Sequence, residues 1–164
     1  EADLAPTLDR IADGSERSRL LAYYTATEAT ETLRFATRGE RFGDPRVRHA
    51  VELAIDRQAI VDTLLAGRSR VPGTYLVPPL WAASVPGPAV RQDLDGARAL
   101  LAAAGFQRGS FGILERGAQR MTLPLLVASG SPARLTAARL GAADLARVGI
   151  DVADVRSRLV HLLR

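Results

Sequence analysis

The side chains that most often perform acid–base catalysis or bind metals are few in this sequence. His49 and His161 are the two histidines, they lie far apart along the chain, and there is no cysteine. Disulfides and thiolate metal sites are therefore excluded. His49 falls on the polar side of a predicted helix, so a surface histidine is the better interpretation of this residue.

Sequence motifs that are typical of hydrolases, nucleotide hydrolases and dinucleotide-binding enzymes are also missing. There is no Gly-x-Ser-x-Gly turn of a hydrolase and no phosphate-binding Walker loop. Gly109, Gly112 and Gly117 have the wrong spacing for a dinucleotide-binding loop. We therefore expect no catalytic residue, no metal ligand and no cofactor, and predict that the chain is not an enzyme.

Its basic charge suggests nucleic acid as a partner, but the arrangement of that charge does not. The net charge is +4 and all 22 basic residues are arginines. They are scattered, many lie close to Asp or Glu, and no basic run alternates with aromatic residues as a stacking surface requires. A solvated, arginine-rich surface is the better interpretation, and we predict that this domain binds no nucleic acid.

The clearest element is an amphipathic helix predicted from Pro45 to about Ile55. Its apolar side chains recur at helical spacing, and we expect Val47, Val51 and Ile55 to be buried. Asp44 suits the N-cap position, and Pro45 suits the first turn. A second helix, ending at Gly67, is predicted to follow.

A proline-rich segment then interrupts the helical pattern. Residues 68–92 hold five prolines, which favours a long loop over a helix or a central strand. Trp81 lies in this loop. It either packs the loop down or lines a ligand surface, because ligand sites are rich in aromatic residues.

The remaining pattern alternates between strands and helices. Asp93 is predicted to cap a helix that Gly105 ends, and a long helix is predicted to end at Gly149. Strands are predicted at residues 33–36, 121–128 and 150–152, with Pro124 at an edge or a bulge. A final helix is predicted to begin near Arg156. Alternation of this kind predicts an α/β fold.

Several segments resemble a known family in the right order. Residues 42–50 read FGDPRVRHA and residues 54–57 read AIDR. They are similar to "F-x-D-x-R-V-R-x-A" and "A-I-D-R" in the family 5 extracellular solute-binding proteins, which are the oligopeptide-, dipeptide- and nickel-binding components of ABC importers. Further similarities, at residues 77–81, 95–106, 112–117 and 145–152, extend the resemblance over residues 33–155. One departure is Ser110-Phe111, which stands where the family usually has an acidic residue before Gly112.

The resemblance implies an architecture as well as a family. The expected fold is α/β, as one lobe of a two-lobed, periplasmic-binding-protein-like (type II) structure, with a mixed sheet flanked by helices. Residues 1–30 are expected to be a remnant of the first lobe or the approach to the hinge. Residues 31–164 are expected to form the second-lobe domain, truncated at its C-terminal end. The chain begins at Glu1 without a methionine, which suggests an excised segment or a processed product.

The resemblance also implies where a ligand would bind. In this family the cleft is lined by loops at strand ends, so the candidates are Thr32, Ser129 and Ser131, with Trp81 as a weaker one. The other interpretation of the first three is that they are ordinary turn residues that cap helices. Arg46, Arg48 and Arg57 are expected to be structural, holding a helix–helix corner through carboxylates and carbonyls.

The implied function is solute binding for uptake, with a small peptide or a related solute as ligand and the membrane permease of an ABC importer as partner. The protein would be extracellular or periplasmic and anchored to the membrane, and the isolated lobe could form a homodimer. The alternative is the ligand-sensing domain of a transcription regulator with the same fold, which would be cytoplasmic.

Overall fold

The computed structural model describes residues 31–39, 41–73, 90–128 and 130–158. The chain divides into two compact units, one of Glu1–Glu31 with Gln58–Ala89 and the other of Thr32–Arg57 with Val90–Arg164. The predicted lobe boundary after residue 30 stays a prediction. No helix in the described ranges is long and apolar enough to cross a bilayer.

The helix predicted first is present as α1, Pro45–Ala54. The Asp44 side chain caps it by accepting from the Arg46 backbone N–H, and Pro45 occupies the first turn, as predicted. Val47 and Val51 are fully buried. Ile55 was predicted to be buried, but it is only partly buried. It is the C-cap of α1 and packs against the core cluster.

The second helix, α2, spans Arg57–Leu65. The turn after it is left-handed at both Ala66 and Gly67, with φ of 49° and 71°. The predicted stop at Gly67 is thus confirmed, because glycine adopts this conformation without strain. None of the α2 side chains is fully buried.

The next helix, α3, spans Leu94–Ala103 and is capped by Asp93, whose side chain accepts from the Gly96 backbone N–H. Gly105 follows with φ of 88°, which confirms the predicted end. Ala97 and Leu101 face α1 in the core.

The third and longest helix of the second unit, α4, spans Pro132–Arg147 and ends before Gly149, whose φ is 86°.

Two sheets occupy the described part of the second unit. The first is an antiparallel meander of β1 (Gln107–Arg108), β2 (Leu114–Arg116) and β3 (Gln119–Arg120), with a short 3-10 turn at Ser110–Gly112 before β2. The second pairs β4 (Thr122–Ala128) with β5 (Asp151–Arg158) in parallel, and its register shifts between Leu123 and Pro124. This shift confirms the predicted irregularity at Pro124.

The α/β architecture is therefore as predicted, with helices beside parallel and antiparallel strands. Its apolar core is formed by side chains of α1, α3, α4, the strand β4 and the segments that precede β1, β4 and β5. The largest of these fully buried side chains are Leu101, Met121, Ile150, Val47 and Val51.

Two local predictions are wrong. Residues 33–36 form no strand, since none of the described segments pairs with them and alternation alone does not make a strand. Residues 156–158 do not begin a helix but continue β5, where Arg156 pairs with Leu126 and Arg158 pairs with Ala128. Pairing along a neighbouring strand here outweighs the local helical pattern.

Candidate functional site

The element that positions a candidate site is the crossover from β4 through α4 to β5. Because β4 and β5 are parallel, their carboxyl ends lie at the same edge, where Ala128 is opposite Arg158. In α/β folds, ligands bind outside the carboxyl ends of parallel strands. The segment that leaves β4 at this edge contains Ser129, Gly130 and Ser131.

The opposite, amino-terminal edge is tied to the meander by backbone hydrogen bonds. The Leu114 N–H donates to the Gly149 carbonyl at 2.8 Å, and the Met121 N–H donates to the Leu114 carbonyl at 2.7 Å. The Asp151 N–H then donates to the Met121 carbonyl at 2.9 Å. These bonds fix the starts of β4 and β5 against the meander.

Ser131 is the N-cap of α4. Its Oγ accepts a hydrogen bond from the Arg134 backbone N–H at 3.3 Å, and its side chain is partly buried. A hydroxyl that accepts in this way still has a proton to donate. The helix-capping interpretation of Ser131 is therefore correct, and the prediction that it also contacts ligand remains untested.

Thr32 is exposed, in a described segment that has no regular secondary structure. No hydrogen bond joins it to Ser131 in the part of the chain that the structure describes. Ser129 and Trp81 lie outside the described residues. The structure thus locates two of the four candidates, and no hydrogen bond joins those two.

Arg46 and Asp44 form the most extensive polar cluster of the corner between α1 and α3. The Arg46 side chain donates to Asp44 from Nε at 3.1 Å and from Nη2 at 2.7 Å, while its Nη1 donates to the Ala103 carbonyl at 2.6 Å. The hydrogen bonds from Arg46 lower the pKa of Asp44, and the same carboxylate raises the pKa of Arg46. Each of the three nitrogens of this guanidinium group therefore donates to a protein acceptor.

Two more predicted corner arginines also donate to carbonyl oxygens. Arg48 donates from Nη1 to the Phe42 and Gly43 carbonyls at 2.6 and 2.9 Å. Arg57 donates to the Glu52 carbonyl at 2.9 Å and to the Val90 carbonyl at 3.2 Å. The predicted structural role of these arginines is confirmed, since the acceptors are the ends of helices and loops.

A second polar contact, between α4 and the residue that follows α1, was not predicted from the sequence. Asp144 accepts from the Asp56 backbone N–H at 2.9 Å, across 88 residues of sequence. Its other oxygen accepts from Arg147 at 3.3 Å. The sequence signal for this contact is an aspartate on the inner side of an otherwise apolar helix face.

The described residues contain no cluster of candidate metal ligands. No group of three or more His, Asp or Glu side chains within these ranges is arranged to hold a metal ion. What the crossover offers instead is Ser131, a small hydroxyl-bearing residue that follows the carboxyl end of β4 and can hydrogen-bond to a ligand.

Comparison with known proteins gives a family match for most of the chain. Residues 1–154 match the family described as bacterial extracellular solute-binding proteins, family 5 Middle. Protein XP55 of Streptomyces lividans is 36% identical over 117 residues, which are 70% of this chain and 21% of that protein.

Solved structures of similar proteins share the fold over about three quarters of the chain. NikZ from Campylobacter jejuni, in complex with Ni(L-His), has a TM-score of 0.71 at 26% identity and covers 79% of this chain. An ABC transporter substrate-binding protein from Sinorhizobium meliloti has a TM-score of 0.69 at 32% identity and covers 77%. AppA of Bacillus subtilis, in complex with a nonapeptide, has a TM-score of 0.66 at 27% identity and covers 76%.

The chain spans only a fifth to a quarter of the length of these relatives, between 21% and 26%. Its fold is accordingly one part of the type II periplasmic binding protein fold that these structures share. The match over residues 1–154 covers most of the sequence. The chain therefore belongs to the bacterial extracellular solute-binding proteins of family 5.

Proposed function

We propose that this chain forms part of a solute-binding protein that captures a small peptide or a related solute for uptake by an ABC importer. The observation that carries the proposal is the family match over residues 1–154, on a chain whose β4–α4–β5 crossover has the parallel strand ends that such sites use. Binding of this kind needs no covalent step, because affinity comes from enclosing the ligand between two lobes.

The candidate contacts are Thr32, Ser129, Ser131 and Trp81. The support for Ser131 is its place at the carboxyl edge of β4, at the N-terminus of a 16-residue helix whose dipole favours a carboxylate or another anion. Thr32 is supported by its exposure. Ser129 and Trp81 are proposed from the sequence and the family resemblance.

The ligand class is proposed from the relatives. AppA was solved with a nonapeptide and NikZ with Ni(L-His), so both a peptide and a small metal chelate occur among similar proteins. A peptide-like solute is the proposal for this chain. Its partners are the membrane permease and, for the isolated lobe, a second copy of the chain; its place is outside the cytoplasmic membrane, attached to it by an anchor.

The alternative function is that of a ligand-sensing domain in a cytoplasmic transcription regulator. It uses the same fold, so the domain architecture of the natural protein distinguishes the two. A DNA-binding domain joined to this one supports the regulator, whereas a secretion signal with a lipidated cysteine supports the transport protein.

The direct test is mass spectrometry of small molecules that copurify with the natural protein containing this chain, followed by calorimetry with the compound found. We expect a short peptide, bound by the natural protein with micromolar or tighter affinity. A sugar or a nickel chelate would overturn the proposed ligand class and leave solute binding intact, and an empty protein that binds none of these would contradict the function itself.

The isolated 164-residue chain should bind the same compound far more weakly. Tight sites bury about 70–90% of a small ligand's surface, and a single lobe supplies one wall. Losing about 4 kcal/mol converts a micromolar site into a roughly millimolar one. A micromolar dissociation constant for this chain alone would mean that the whole site lies within it.

A further inference from the structure

The tip of the meander presents an aromatic ring to solvent. Phe111, in the 3-10 turn before β2, is 94% exposed. The other exposed large apolar side chains of the described residues, Leu126 at 58% and Leu33 at 44%, are much better covered. The ring of Phe111 is thus an isolated apolar protrusion on a polar surface.

The backbone of Phe111 has a conformation that is unfavourable for phenylalanine. Phe111 has φ of 60° and ψ of 19°, in the left-handed region, and Gly112 follows with φ of 77°. Glycine, asparagine or aspartate adopts this conformation more readily than a bulky aromatic residue does. Neither burial nor backbone preference explains a phenylalanine here, and strain of this kind is typical of functional positions.

The ring is supported from one side by a positioned arginine. The guanidinium carbon of Arg120 lies 5.9 Å from the centre of the Phe111 ring. Arg120 is itself held, because its Nε donates to a Glu115 oxygen at 3.1 Å and its Nη2 donates to the Ser110 carbonyl at 3.3 Å. The tip is therefore held by side-chain contacts, on a meander whose backbone is hydrogen-bonded to Gly149 and Met121.

The meander is also positively charged. Between Gln107 and Arg120 the sequence has three arginines and one glutamate, Glu115, a net charge of +2. Neighbouring strands lie about 4.8 Å apart, so the three strands fit within one Debye length of about 10 Å. A charged surface that faces the tip therefore interacts with the net charge of the meander rather than with one side chain at a time.

We propose that this tip, Ser110–Gly112 with the arginines of the meander, contacts the anionic lipid surface of a membrane. The Phe111 ring enters the layer between headgroups and acyl chains, and the arginines lie against lipid phosphates. A lipid surface fits better than a protein partner, because the core of a protein interface gathers several apolar side chains and here there is one. The contact is independent of the proposed solute binding.

The test is cosedimentation of the chain with vesicles of phosphatidylcholine alone and of equal parts phosphatidylcholine and phosphatidylglycerol. We expect binding to the mixed vesicles that weakens as salt is raised from about 0.1 M to about 1 M, since the Debye length falls to about 3 Å. Phe111→Gly should reduce the partition coefficient about tenfold or more. The same change should leave the melting temperature unchanged or raise it, because glycine relieves the left-handed strain.

Leu126→Ser is the matched control, since it removes another exposed apolar side chain from a different element, the strand β4. This variant should bind vesicles as the unchanged chain does. Three results would overturn the proposal. They are equal binding to both vesicle types, unchanged binding of Phe111→Gly, and light scattering in the absence of lipid that shows Phe111 driving self-association. The last would identify a protein interface instead.

Discussion

Arg46 joins the start of α1 to the end of α3, through a 2.6 Å hydrogen bond from its Nη1 to the Ala103 carbonyl oxygen. Its other donors bind Asp44, which in turn caps α1. A single arginine thus satisfies a helix C-terminal carbonyl and orients a helix N-cap. This dual contact depends on the planar fork of the guanidinium group, which lysine lacks.

Replacement of Arg46 by lysine should therefore destabilise the protein almost as much as replacement by alanine. Lysine keeps the charge but cannot donate to Asp44 and Ala103 in the same geometry. We expect both variants to lower the melting temperature, with similar values in thermal denaturation. Arg139→Lys, on the exposed side of α4, is the control and should leave it unchanged. A fully stable Arg46→Lys protein would show that charge alone matters at this corner.

The lowered pKa of Asp44 predicts an acid-dependent loss of stability. Its pKa in the folded state lies below the ordinary value of 3.8, first because of the side-chain hydrogen bonds from Arg46. The contribution is therefore complete at pH values well above 3.8, decreases as the pH falls through that value, and is lost below the folded pKa. Asp44→Asn should be less stable than the unchanged chain at pH 7, and the difference should shrink towards pH 3. A difference that is independent of pH would contradict the ion pair.

Solute affinity of the natural protein should change little in Asp44→Ala, because the residue lies at the helix corner.

Val51→Asp should unfold the domain. Val51 is 1% exposed and lies in the core between α1 and its neighbours. An unpaired carboxylate there costs several kcal/mol, a large part of the stability of a small domain. His49→Asp places the same charge on the exposed face of α1 and should fold normally by circular dichroism. If both variants melted like the unchanged chain, the α1 face would not be core.

Asp144 should contribute more to stability than its surface ion pair suggests. Asp144→Ala removes the acceptor of the partly buried Asp56 N–H, and leaving such a donor unsatisfied costs about 1–3 kcal/mol. Asp144→Asn keeps one acceptor oxygen and should recover most of that loss in urea denaturation. Equal loss in both variants would assign the effect to charge, and hence to Arg147, rather than to the backbone hydrogen bond.

Gly149 and Gly117 both have a positive φ, so replacing each by alanine separates the cost of backbone strain from the cost of steric overlap. Gly149 has φ of 86°, and a Cβ built on it would lie 2.9 Å from Leu114 Cγ and 3.0 Å from the Gly112 carbonyl oxygen. Gly117 has φ of 62° and open space at the same position. Gly117→Ala should cost about 1–2 kcal/mol for the left-handed conformation alone. Gly149→Ala should cost more in the same denaturation experiment, because it adds overlap with backbone and core; equal costs would mean that the meander yields at this contact.

The sequence by itself determined the helices of the described chain, because capping residues, apolar spacing and terminal glycines act within a few residues of each helix. Asp44, Asp93 and Ser131 cap helices through side chains that reach the next turn. The apolar stripe of α1 predicted its buried face except at Ile55. Gly67 and Gly149 ended helices by adopting a conformation that few other residues tolerate. These are contacts within a few residues, so pattern and composition suffice to predict them.

Strands and polar joints were decided by tertiary structure. Residues 33–36 and 156–158 carry ambiguous patterns, and only the second stretch has a neighbouring strand, β4, to pair with among the described residues. Asp144 meets Asp56 across 88 positions, a proximity that no local pattern encodes. The candidate site is divided in the same way. Family resemblance suggested Ser131, but only the parallel pairing of β4 with β5 put it at a carboxyl edge, because strand direction and register arise from contacts between segments far apart in the chain.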